Sequence, residues 1–98
     1  MPVPLRPGNL VSIEPGYYEE GSFGIRTESM LHVVEAEQKG FLKFEYLTRV
    51  PIDTGLVDYS LLAPSEKEWL HGHNAAVRRA LAPLVQHDPL AVRWLHSQ

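Results

Sequence analysis

The apolar residues of this chain change their spacing once, near Pro64, and that change decides which folds are open to it. Up to residue 62, proline and glycine cut the sequence into short apolar runs: residues 9–14, 23–28, 30–35 and 41–48. Runs of that length, rich in β-branched and aromatic residues and bounded by turn formers, predict strands. Pro15-Gly16 stops the first run, because Pro removes a ladder donor and Gly permits turn geometry; Tyr17-Tyr18 resumes it. Residues 19–22 read as a hairpin loop and residues 38–40 as a turn. Residues 49–52 read as a further extended segment, with Pro51 marking an edge.

From Pro64 onward the spacing is helical. Ser65 is placed as N-cap of a helix, with Glu68 as its capping-box partner. Trp69, Leu70, Val77, Leu81 and Leu84 fall on one stripe, and Pro83 kinks or ends that helix. Asp88-Pro89 then reads as N-cap and first position of a last helix carrying Leu90, Val92, Trp94 and Leu95. Strands first and helices last predict an α+β chain: a short antiparallel sheet over residues 1–62, then two helices within 63–98.

Composition narrows the function classes. A chain of 98 residues, 44% of them hydrophobic, suits one small globular domain. A formal net charge of −3 leaves no electrostatic footprint for nucleic acid or an anionic membrane. The absence of cysteine excludes disulfides, thiolate metal sites and a cysteine nucleophile, and fits a cytoplasmic protein. The N-terminal MPVPLRPGNL lacks the apolar run of a signal peptide, and no segment approaches the roughly 18 apolar residues of a membrane helix. The expectation is a soluble, cytoplasmic chain.

The stretch SIEPGYYEEGSFGIRTES holds two acids inside segments that otherwise read as strand. With a period of two, Ser12 and Glu14 share one face, and Arg26 and Glu28 share one face. If the two strands pair as a hairpin, Glu14 and Glu28 converge. Two converging carboxylates repel unless a cation lies between them, and that cation is either Arg26 or a metal. A carboxylate-only donor set suits hard or borderline divalent ions. Periodicity leaves open the alternative that both are acids on a solvated face.

The longer string PLRPGNLVSIEPGYYEEGSFGIRTES resembles the metal-binding segment of the Xaa-Pro aminopeptidases, the aminopeptidase P group of pita-bread metallopeptidases. Their pattern there runs approximately PL-x-PGM-x-x-S-x-EPGYYE-x-G-x-FGIR-x-EN. Downstream, GFLKFEYLTRVPIDTGLVD resembles the group's G-x-L-x-FEPLT-x-VPI, and LLAPSEKEWLHGHNAAVRR resembles its C-terminal helix. The resemblance implies the closing portion of a pita-bread (creatinase/aminopeptidase-like) fold. It implies a site with two divalent ions, usually manganese, held by two Asp, one His and two Glu. By resemblance Glu14 binds one ion and Glu28 bridges both, while Arg26 and Tyr18 support the ligands from behind. The implied substrate is a peptide with Pro at its second position, and the implied reaction is removal of the residue before it.

This sequence departs from that pattern in Thr27, Ser29 and Tyr46, none of which is a ligand position. The group's Asp and His ligands precede the PL-x-PG string. Here no Asp occurs before Asp53, and His32, His71, His73, His87 and His96 all follow the Glu pair. His71 and His73, two apart on a helix, point about 200° from each other and do not chelate together. His32 reads as a strand residue, not a ligand. The expectation is that this chain carries two of five metal ligands and is inactive alone. The alternative is a non-catalytic assembly module. In the resembling group the C-terminal helices lie near a dimer contact, so a homo-oligomer is expected.

Overall fold

The first half of the chain is one long hairpin interrupted at Pro15, with a further strand added at its far end. The computed structural model describes residues 2–98. Contacts gather them into two compact units that meet in sequence at Thr48 and Arg49.

The first unit holds five strands: β1 (Leu10–Ile13), β2 (Gly16–Glu19), β3 (Phe23–Arg26), β4 (Ser29–Glu35) and β5 (Leu42–Tyr46). They form a three-stranded sheet in the order β1-β4-β5 and a two-stranded sheet β2-β3, all antiparallel. β1 pairs with β4 and not with β3, which answers the pairing that the sequence left conditional. The two ladders nevertheless share one register. Ile13 opposes Ser29 and Gly16 opposes Arg26, so carrying either ladder inward sets Pro15 opposite Thr27 and Glu14 opposite Glu28. Thr27 N–H donates to Pro15 O at 3.1 Å. Pro15 has no N–H to return, and that missing donor is what divides one hairpin into two sheets.

At the hairpin tip, Ser22 N–H donates to Glu19 O at 3.0 Å while Gly21 takes a left-handed φ of 71°. β4 is the central strand of the larger sheet, and its Leu31 and Val33 are buried. The alternate residues Met30, His32 and Val34 lie on the opposite face. The turn at residues 38–40 forms as the sequence predicts, closed by Ala36 N–H to Phe41 O at 2.9 Å.

The second unit contains two short 3-10 turns, Thr54–Leu56 and Tyr59–Leu61, then α1 (Pro64–Leu81), a 3-10 turn Ala82–Leu84 and α2 (Pro89–Ser97). Three expectations are corrected here. Residues 49–52 form no strand: Ile52 N–H donates to Asn74 Oδ1 at 2.9 Å, and Asn74 Nδ2 donates to Ile52 O at 2.9 Å. One buried side-chain amide thus does what a neighbouring strand would do. The cap of α1 is Ala63, not Ser65, since Pro64 lacks an N–H and is preorganised for the first helical position. Glu66, not Glu68, reaches back to accept Ala63 N–H at 2.7 Å; Ala63 has no side-chain oxygen to complete a capping box. The buried face of α1 is Leu70, Asn74 and Val77, while Trp69 and Leu84 are exposed. α1 ends ahead of Pro83, as expected. Asp88 caps α2 as expected, accepting Leu90 and Ala91 N–H at 3.0 and 3.1 Å, and Leu95 is its buried residue.

Candidate metal centre

The break at Pro15 places two carboxylates across from each other. Glu14 follows β1 and Glu28 precedes β4, so neither lies within a strand, and the common register sets them opposite one another. Residues directly opposed in such a register stand with their Cβ atoms about 5 Å apart. Alternate residues of the same register share that face: Ser12, Gly16 and Tyr18 on one side, Gly24, Arg26 and Met30 on the other.

The side-chain contacts on this face follow the alternation. Ser12 Oγ donates to Glu14 Oε1 at 3.4 Å. Arg26 Nη1 stands 3.5 Å from Glu14 Oε2, with each side chain 50% exposed. Arg26 Nε–H donates to Tyr18 Oη at 2.8 Å, and its guanidinium lies 5.8 Å from the centre of the Tyr18 ring. The Tyr18 hydroxyl contributes most to raising the Arg26 pKa above its ordinary value, and Glu14 and Glu28 add to it. Arg26 is therefore the cation that stands beside Glu14 on this face.

All four residues singled out from the sequence come together here. Tyr18, Arg26 and Glu14 are joined by direct contacts, and Glu28 acts on Arg26 through its charge. Gly16 and Gly24 belong to the same assembly, since the Tyr18 ring packs over both. Gly16 is not the turn former that its place after Pro15 suggests: it lies within β2 and its φ is not positive. The signal that finds them is the register: two glycines stand on the Tyr18 face, one two residues before it and one directly across.

The donor set fits part of a divalent-ion site. Glu14 and Glu28 offer carboxyl oxygens from opposed positions on one face, the donor type that a hard or borderline ion takes. They do not make a cage: among the described residues no group of three or more His, Asp and Glu stands close enough to hold an ion. Asp53, Asp58 and Asp88 are taken up as caps, each accepting a backbone N–H of the turn or helix it precedes. His71 faces Tyr59, and His73 stacks on Trp69 at 5.2 Å, so the two histidines turn to different aromatic partners. His32 lies 3.7 Å from Glu45 of the neighbouring strand.

Comparison with known proteins decides the family. The profile described as "Metallopeptidase family M24" matches residues 1–35, and "C-terminal region of peptidase_M24" matches residues 40–98. The chain belongs to metallopeptidase family M24. It is 42% identical over 102 residues to a probable Xaa-Pro aminopeptidase P of Pyricularia oryzae. It is 44% identical over 99 residues to the protein of that name in Neurospora crassa. These alignments cover 98% and 95% of the chain but only 16% and 14% of the relatives, so the chain spans about one-sixth of their length. Among solved structures it resembles an X-prolyl aminopeptidase from Caenorhabditis elegans, described as a cytosolic enzyme with a di-nuclear active site. The TM-score is 0.82 at 35% identity, over 95% of this chain and 16% of that one. The α+β order of short antiparallel sheets followed by two helices is thus shared with part of that X-prolyl aminopeptidase structure, consistent with the closing portion of a pita-bread fold. Among the described residues no helix is long and apolar enough to cross a membrane.

Proposed function

We propose that this M24 chain forms the closing part of the catalytic domain of a metal-dependent Xaa-Pro aminopeptidase, with residues 1–62 and 63–98 belonging to that one domain. The observation that carries the reading is the opposition of Glu14 and Glu28 on one face, with Arg26 and Tyr18 beside them. The names of its relatives supply the reaction class. In this reading Glu14 and Glu28 are two legs of a site for two divalent ions, manganese by the family resemblance. Such a pair supplies an activated water and a Lewis acid for hydrolysis of the bond before a second-position Pro. Arg26 holds Glu14, and Tyr18 holds Arg26, which is the task of groups that orient metal ligands.

Two carboxylates alone hold a divalent ion weakly, and the 98-residue chain is expected to release no amino acid from X-Pro peptides with added Mn²⁺. Turnover that follows the purified chain and disappears in Glu28→Ala would sink that expectation. The ligand roles are read directly by NMR: Mn²⁺ should broaden the side-chain carbonyl signals of Glu14 and Glu28 before those of other acids. Equal broadening at Glu19 or Glu35 would count against the site.

Assembly is the second part of the proposal. Tyr17, Phe23 and Ile25 lie on the face of β2–β3 away from Tyr18 and are about half exposed. Exposed apolar residues gathered on one face favour association, so the chain is proposed to form a homo-oligomer in the cytosol. A monodisperse monomer in light scattering would contradict it.

A further inference from the structure

The contact between Tyr18 and Arg26 depends on space that two glycines leave. A Cβ built on Gly24 would lie 2.6 Å from Tyr18 Cδ1 and 3.1 Å from Tyr18 Cε1, and no other residue's side chain is among its nearest atoms. A Cβ built on Gly16 would lie 2.5 Å from Tyr18 Oη and also 2.9 Å from the backbone oxygen of Ile25. Both glycines have strand φ values, so neither is required by backbone conformation. What they supply is a trough across the strand pair in which the phenol ring lies flat, as an aromatic side chain packs over a cross-strand glycine.

We propose that Gly24 is a positioning residue: by leaving room for the Tyr18 ring it sets the Tyr18 hydroxyl on Arg26 Nε, and through Arg26 it orients Glu14. The proposal rests on the reading of Glu14 as a metal ligand for its consequence, but not for its geometry. A methyl group at residue 24 meets only the Tyr18 ring at close range, and a ring has no flexible end to swing away. The ring must lift, its hydroxyl leaves Arg26, and Arg26 loses the hydrogen bond that fixes its plane. Gly16 differs, because a methyl group there also meets backbone that cannot be removed.

The test uses the Arg26 Nε–H signal in ¹⁵N–¹H spectra of the full chain, with the Leu31 and Val33 amide signals as the measure of folding. Gly24→Ala should move the Arg26 signal to the place where Tyr18→Phe puts it. In a Tyr18→Ala background, Gly24→Ala should add no further change, whereas Gly16→Ala should still perturb the hairpin. An Arg26 signal left at its wild-type position in folded Gly24→Ala overturns the proposal. If Gly24→Ala alone fails to fold, recovery in the Gly24→Ala/Tyr18→Ala double variant supports it, and failure to recover overturns it. Mn²⁺ titration tests the consequence separately: Gly24→Ala should weaken binding at Glu14 and Glu28 by about tenfold. Wild-type chain on which Mn²⁺ leaves both Glu signals unchanged overturns the metal reading, while the Arg26 signal still decides the positioning.

Discussion

Pro15 and Thr27 share one hydrogen bond where an ordinary strand pair would share two. Thr27 N–H donates to Pro15 O at 3.1 Å, and the return donor does not exist. The gap falls one residue from Glu14 and one from Glu28, so the two acids stand where the ladder is loosest.

Pro15→Ala should close that gap. The new N–H gains a hydrogen bond worth about 0.5–1.5 kcal/mol. Losing the proline frees the unfolded chain at a cost of about 0.4–1 kcal/mol. The two nearly cancel, so a melting temperature is the wrong readout. Hydrogen exchange is the right one: the amide gained at residue 15 should be protected, continuous with those of β1 and β2. Fast exchange of that amide would mean that something other than the missing donor separates the sheets.

Much of this hairpin was legible in the sequence, because strand existence and face depend on local pattern. β-branched runs between Pro and Gly mark four of the five strands, and a period of two already groups Glu14 with Ser12 and Glu28 with Arg26. Pairing was not legible, since it depends on which runs meet in space; only the register shows that Glu14 opposes Glu28. The role of Gly24 was hidden for the same reason, as the ring it accommodates belongs to the other strand. Residues 49–52 misled because Ile52 is satisfied by a side chain 22 positions away in sequence. A polar residue on the apolar stripe of α1, Asn74 between Leu70 and Val77, was the available hint.

Asn74→Leu should be costly although it makes the buried face of α1 wholly apolar. Asn74 is 2% exposed and serves both backbone groups of Ile52. Removing it strands an N–H and a C=O, each costing about 1–3 kcal/mol when buried. Ile52 is only half-buried, so water relieves part of this, and a loss of about 2 kcal/mol is expected in urea denaturation. A stability within about 0.5 kcal/mol of wild type, the range of an ordinary surface substitution, would show that water replaces the amide fully.

Asp88→Ala should weaken α2 locally. The side chain of Asp88 accepts two N–H groups of the first turn, and Pro89 needs no acceptor. Loss of such a cap costs about 1 kcal/mol, while Asp88→Ser should cost much less. Amide exchange at Leu90 and Ala91 should accelerate in the Ala variant and stay close to wild type in the Ser variant. Equal acceleration in both would mean that the charge, and not the hydrogen bonds, holds the turn.

An exposed ion pair with shifts on both partners joins Lys43 of β5 to Glu37. The Lys43 ammonium donates to the Glu37 carboxylate. That hydrogen bond is the main cause holding the Glu37 carboxyl below its ordinary 4.5, and the main cause lifting Lys43 above 10.5. A depressed carboxyl stabilises the fold above its ordinary value and loses that contribution as pH falls through its folded value. A raised ammonium stabilises below its ordinary value and loses that contribution as pH rises through its folded one. The pair is therefore fully present between about 4.5 and 10.5. Lys43→Met should return the Glu37 titration, followed by NMR, toward 4.5. The stability difference between wild type and Lys43→Met should be largest near neutral pH, shrink below the Glu37 transition, and shrink again in about 1 M salt, where screening is strong. Both side chains are exposed, so the difference should be small. A Glu37 titration that ignores Lys43→Met would place the depression on the backbone contact of Glu37 instead.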